Sequence, residues 1–164
     1  MGFLPDPLHP AIVHFPIALS IVAVLLELLA RHPRLRSLGD AAGLVMALAA
    51  AASVAAVLSG QAAHDEAVIP AAAAALVARH EDVGELAMWL LLAVIALRLL
   101  LAWRGWLARW GGWLYLAAAI AATATVGYNG YLGGKMVFDQ GVGTAPVQRG
   151  LVSNGGRTAP GTGR

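Results

Sequence analysis

The sequence predicts an all-α membrane protein, a bundle of four transmembrane helices with a short interfacial helix between the second and the third. Of its 164 residues, 59% are hydrophobic and only 12% are charged, against about 25% charged in an ordinary soluble domain. The mean hydropathy is +0.72. Because a soluble domain of this length cannot bury so much apolar surface, a lipid bilayer must cover the excess.

Four apolar stretches approach the ~20 residues needed to cross the hydrocarbon core, namely 12–30, 41–59, 86–103 and 110–132. Such stretches must be helical, because the bilayer core holds no water to satisfy free backbone groups. The apolar segment 67–78 is too short to cross. Pro70 followed by alanines is typical of a helix start, so we predict a short helix lying at the interface there, with a re-entrant segment as the lesser option.

These elements place a four-helix membrane domain at residues 1–141. From 142 to 164 the sequence is rich in Gly, Thr, Ser, Pro and Arg without a periodic apolar face, which predicts a disordered polar tail. The N-terminal residues MGFLPDPLHP have no basic region and no small-residue cleavage site. We therefore predict that no signal peptide is removed and that the first apolar stretch stays in the mature protein.

The distribution of arginines predicts the orientation. The middle loop carries a single arginine, Arg79, whereas the first and third loops together carry five, Arg31, Arg34, Arg36, Arg104 and Arg109. Loops rich in arginine stay in the cytoplasm. Both termini and the middle loop are therefore expected on the outer side of the membrane.

Several classes of function are excluded by composition and motifs. With no cysteine the chain cannot form disulfides, hold an iron–sulfur cluster or attach a c-type haem. A net charge of +2 with scattered basic residues does not indicate nucleic-acid binding. No nucleophile elbow, phosphate loop, dinucleotide turn or H-E-x-x-H motif occurs. The sequence favours an electron-transfer or binding protein over a stand-alone enzyme, and it leaves open whether copies of the chain form a homo-oligomer.

Four of the five histidines fall at the same predicted membrane face. His9 and His14 stand at the start of the first span, His64 just beyond the end of the second and His80 just before the third, whereas His32 lies on the other side. Each histidine taken singly is explained as a helix cap or a solvated surface residue. Those explanations do not account for the convergence of four histidines at one face. An ionisable residue within a membrane span is costly and is a candidate functional residue.

Converging imidazoles indicate a haem b or a transition metal, because neutral imidazole is both a haem axial ligand and the commonest metal ligand. Small residues recur every four positions in the second span, which lets a flat ligand or another helix approach closely: Gly39, Gly43, Ala47, Ala51, Ala55 and Ser59. A zinc or copper site completed by neighbouring carboxylates is the first alternative. A structural or accessory membrane subunit without a cofactor is the second.

The predicted axial pair is His14 and His80. His9 and His14 are five residues apart, about 140° around a helix, so they cannot both face one iron. The second ligand must then come from another segment, where His80 at the start of a helix is better anchored than His64 in a loop. We expect the imidazoles of His14 and His80 to face the bundle interior, with His9 or His64 close by.

Residues 9–19, HPAIVHFPIAL, resemble the opening signature of the bacterial membrane family known as domain of unknown function 2231. Residues 131–134 with Val137 and the Gly-Val-Gly of 141–143 resemble its closing signature, and His80 matches a further histidine position. The resemblance covers about residues 8–143. It implies a small four-helix protein of the bacterial inner membrane, similar in layout to two-haem b-type cytochromes, and hence a haem-binding role in electron transfer.

One departure from the family pattern concerns the number of haems. Asp139 and Gln140 stand where the closing signature usually carries a histidine just before Gly-Val-Gly. If that histidine is a ligand in the family, this chain has lost it or His64 replaces it. The resemblance therefore implies haem without fixing a count of two.

Overall fold

The computed structural model describes residues 8–66 and 69–144. Over these residues the chain forms one short helix, α1 (His9–Ile12), and four long ones, α2 (His14–Leu29), α3 (Leu38–Glu66), α4 (Ala74–Trp103) and α5 (Gly111–Phe138). The prediction of an all-helical protein is confirmed. Residues 1–7 and most of the predicted tail, 145–164, lie outside the described residues.

Three helical segments of the described chain are long and apolar enough to cross a membrane. They are His9–Leu29, Leu38–Asp65 and Ala71–Trp103, with a mean hydropathy of 2.3 to 2.4 over their most apolar windows. Large apolar side chains on their outer faces are more than half exposed, among them Leu25, Leu44, Trp89 and Leu99. Helix α5 is also long but is not among these three segments.

The separate interfacial helix predicted over 67–78 is wrong. Ala71–Ala73 form a single 3-10 turn after Pro70, and the chain then enters α4, which continues without a break to Trp103. Alanine, arginine and glutamate are strong helix formers, and the single Gly84 is too weak a breaker to stop the helix. The segment therefore supplies the first turns of a transmembrane-length helix, and residues 67 and 68 lie outside the described residues.

The second predicted span also extends further than its apolar run. Helix α3 continues from Ser59 through Gln61 to Glu66. His64 therefore lies in the last turn of this helix, whereas the sequence predicted it beyond the helix end. Hydropathy marks where lipid ends, but a helix ends only where backbone hydrogen bonding or a breaking residue stops it. No Pro stands between Ser59 and Glu66.

The long helices form an antiparallel bundle in which α2 packs against α3 and α5, and α4 packs against the same two neighbours. One end, here called the histidine end, contains His9, His64 and His80. The opposite end, the arginine end, contains Arg31 and Arg98. The core between the ends consists of small and medium side chains, including Ala23, Met46, Ala49, Leu91, Val94, Ala119 and Ala122.

The line of small residues predicted on α3 is not its buried face. The buried positions are instead spaced by three and four residues, at Ala42, Met46, Ala49, Ser53 and Ala56, whereas Ala51 and Ala55 are exposed. A step of four residues drifts by about 40° around a helix of 3.6 residues per turn. Such a line therefore meets the bundle interior only near its ends.

Candidate functional site

Two imidazoles meet at the histidine end. The ring centroids of His9 and His80 are 6.3 Å apart and their planes are inclined by 82°. His9 opens α1 and His80 lies in the second turn of α4, so the two side chains come from helices at opposite corners of the bundle. Both residues are partly buried. We call these two residues the histidine pair.

Both rings of the histidine pair make a hydrogen bond at Nδ1. His9 Nδ1 lies 3.0 Å from Ser59 Oγ, and that hydroxyl donates its own proton to the Ala56 carbonyl, also at 3.0 Å. His80 Nδ1 lies 3.2 Å from the Asn129 carbonyl oxygen, which can only accept. These contacts favour the tautomer with the proton on Nδ1, which leaves the lone pair of a neutral ring on Nε2. This is the tautomer in which a histidine presents Nε2 to a metal.

Glycines on α3 and α5 make room for the histidine pair. A Cβ atom on Gly60 would lie 3.0 Å from His9 Cε1, and one on Gly133 would lie 3.3 Å from His80 Cε1. Asn129 lies beside His80, and its buried Oδ1 has no hydrogen-bond partner within the described residues. The sequence pattern indicated Ser59 only as a small residue of the second span, and it did not predict the contacts of Ser59 and Asn129 with the pair.

The expectation that His14 faces the bundle interior is wrong, because His14 is exposed. Five residues separate it from His9, so with His9 turned inward the helix turns His14 away. His64 also lies on the surface, where its Nδ1 contacts Glu81 Oε1 and the two side chains are 44% and 42% exposed. A ligand role for His14 or His64 stays a prediction.

The donors at the histidine end suit some cofactors better than others. No group of three or more His, Asp or Glu residues that could hold a metal ion occurs in residues 8–66 and 69–144, whereas a zinc site takes three or four protein ligands. Haem supplies four nitrogens itself and needs only two axial ligands. His9 and His80, whose ring centroids are 6.3 Å apart, would be the two protein donors to a haem iron.

A second polar cluster lies at the arginine end. Glu27, only 5% exposed, accepts hydrogen bonds from Arg31, four residues later and just beyond the end of α2, and from Arg98 Nη1 on α4 at 3.1 Å. Arg98 also donates to the Gly39 carbonyl on α3. We call Glu27, Arg31 and Arg98 the charge cluster.

Aromatic rings and a further carbonyl complete the partners of the charge cluster. The Arg98 guanidinium lies 4.9 Å from the ring centroid of the buried Tyr115. Arg31 donates to the Gly112 carbonyl at 2.8 Å and lies 5.1 Å from the Trp113 ring centroid. The cluster therefore joins all four long helices. The sequence pattern did not predict this cluster. The signal that could have indicated it is the presence of Glu27 and Arg98 inside apolar spans, where charged residues are costly.

The comparisons with known proteins give the family. The family model described as "Predicted membrane protein (DUF2231)" matches residues 5–146. Neither a curated protein nor a solved structure matches the chain. The matched segment includes the opening residues His9 to Leu19, the histidine pair and the closing glycines. The chain therefore belongs to the family of predicted membrane proteins called domain of unknown function 2231.

Proposed function

We propose that this protein is a b-type cytochrome-like membrane protein that holds haem b between His9 and His80 and serves in electron transfer. The observation that carries the proposal is the histidine pair, with centroids 6.3 Å apart and with its hydrogen bonds in the described residues at Nδ1 of each ring. The family resemblance supports the same cofactor, but the structure favours His9 over His14 as the partner of His80.

The roles of the surrounding residues follow from their contacts. Ser59 and the Asn129 carbonyl hold the two Nδ1 protons, which orients the rings and makes Nε2 a better donor. Gly60 and Gly133 allow the rings to lie against helix backbones. When bound, haem supplies a one-electron iron couple. The protein contributes axial ligands, orientation and an apolar surrounding that limits access of water.

Histidine-to-alanine variants test the axial pair. The purified protein, loaded with haem, should show the absorbance and electron paramagnetic resonance spectra of low-spin bis-histidine haem. His9→Ala and His80→Ala should each lose the low-spin signal, because one imidazole cannot fill both axial positions. His14→Ala and His64→Ala test the ligand roles predicted for those two residues and, because both side chains lie on the surface, should keep the signal.

Three results would count against the proposal. Low-spin haem that persists in both the His9 and His80 variants would show that other residues are the ligands. Copper or zinc without haem in elemental analysis, lost in the same two variants, would support the alternative of a transition-metal protein. Haem and metal both absent would favour a structural or accessory membrane subunit.

We also propose that α5 crosses the membrane as the fourth span and that both termini face the outer side of a bacterial inner membrane. Supporting this are the antiparallel packing of α5 against α2 and α4 and the arginines of the first and third loops. Reporter fusions after Leu35 and after Ser153 should give cytoplasmic and external signals. A cytoplasmic signal after Ser153, with Leu35 also cytoplasmic, would mean that α5 does not cross.

A further inference from the structure

Resting on the proposed haem site, we infer that electrons enter and leave this protein at the histidine end only. The protein then links a donor and an acceptor at one membrane face and does not carry electrons across the bilayer. The first support is the position of the histidine pair, which lies in one half of the bundle, at the first residue of α1 and in the second turn of α4.

The second support is the length of the bundle beyond that pair. His80 and Arg98 stand on the same helix, α4, and their numbers differ by 98 − 80 = 18 residues, which corresponds to about 27 Å at 1.5 Å per residue. This is nearly the whole hydrocarbon thickness of ~30 Å. Because electron tunnelling weakens steeply with distance, a transmembrane path would need a second redox centre in the other half of the bundle.

The third support is that the arginine end is occupied by the charge cluster. Its guanidinium groups are fixed by Glu27 and by backbone carbonyls, and Tyr115 fills the space beneath Arg98 with 1% of its surface exposed. In the described part of the chain the only histidine at this end is His32. It is exposed and its Nδ1 accepts from the Arg34 backbone N–H at 3.3 Å, so no second imidazole pair exists there.

The electron balance follows from a single centre. A haem held by His9 and His80 would supply a one-electron couple, so each electron taken from a donor at the histidine end would have to pass to an acceptor at the same end. Donor and acceptor must therefore both be carriers on that side of the membrane or in the adjoining lipid leaflet. The class of reaction is electron exchange at one face, without charge movement across the membrane.

The test uses the full-length haem-loaded protein in sealed vesicles whose orientation is established by labelling the single lysine, Lys135, with an impermeant reagent. Ascorbate, which does not cross lipid, is either added outside or trapped inside. Reduction of haem should be complete when ascorbate faces the histidine end and absent when it faces the arginine end. A lipid-soluble mediator should restore reduction from either side, which controls for inactive protein.

A second measurement locates the haem relative to the two membrane faces and does not depend on electron transfer. An impermeant gadolinium chelate should shorten the spin relaxation of the ferric haem when it is on the histidine side and leave it unchanged on the arginine side. Equal reduction or equal relaxation from the arginine side would overturn one-sided exchange while leaving the haem site intact. Absence of low-spin haem in the same vesicles would instead overturn the proposed function, and the inference with it.

Discussion

Replacing Glu27 with alanine should destabilise the folded bundle by about 3–5 kcal/mol, the usual cost of removing one partner from a buried ion pair. Glu27 is 5% exposed and is the carboxylate that Arg31 and Arg98 share. Without it, the Arg98 guanidinium stays in the bundle interior with no countercharge in contact. The free energy of unfolding, followed by circular dichroism in mixed detergent micelles, measures the effect.

A double variant distinguishes the cost of leaving Arg98 without a countercharge from the cost of losing the packing of the Glu27 side chain. The double variant Glu27→Ala with Arg98→Leu should be more stable than Glu27→Ala alone, because it removes the unpaired cation together with its partner. Glu85→Ala is the matched control, since Glu85 is exposed and surface substitutions usually change stability by less than about 0.5 kcal/mol. Equal losses in Glu27→Ala and Glu85→Ala would contradict an important role for the charge cluster.

Gly112→Ala should also be strongly destabilising, by about 1–3 kcal/mol or more. A Cβ atom at this position would lie 2.5 Å from the Leu107 carbonyl oxygen and 2.5 Å from Arg31 Nη1. Rotation of the Arg31 side chain relieves only the second contact, because the first is with backbone. The variant should therefore displace the start of α5 and break the hydrogen bond from Arg31 to the Gly112 carbonyl.

Gly127 on the same helix provides the matched control. A Cβ atom there would have no neighbour within 4 Å, and alanine is favoured over glycine in a helix interior by about 1 kcal/mol. Gly127→Ala should accordingly be neutral or slightly stabilising in the same unfolding assay. If the two variants have the same stability, the close approach at Gly112 does not hold α5 in place.

The agreement between sequence and structure is best where one physical effect dominates. Long apolar stretches predicted helices correctly, because lipid leaves the backbone no other way to satisfy its hydrogen bonds. Helix ends were less predictable. The polar segment 79–85 lacks the hydropathy of a span but consists mostly of residues compatible with a helix, so α4 begins twelve residues before the predicted span, at Ala74 rather than Leu86.

The candidate site was predictable as a region but not as a set of contacts. The order of helices brings His9, His64 and His80 to one end whatever the details of packing. Which ring turns inward depends on helix rotation, and five residues of separation allow either His9 or His14 to face the core but not both. In the packed bundle His9 faces the interior and contacts Ser59 on α3, whereas His14 is exposed.

By itself, the sequence determined the helical membrane class, the family and the gathering of histidines at one end, because these depend on composition, local hydropathy and chain order. Only the tertiary structure decided that His9 pairs with His80, that Asn129 orients His80, and that Glu27 joins Arg31 and Arg98 in one cluster. The physical reason is that these contacts join residues 49 to 71 positions apart in the chain, with the exception of Glu27 and Arg31. Their formation depends on how each helix is rotated and seated against its neighbours, which local sequence patterns do not fix.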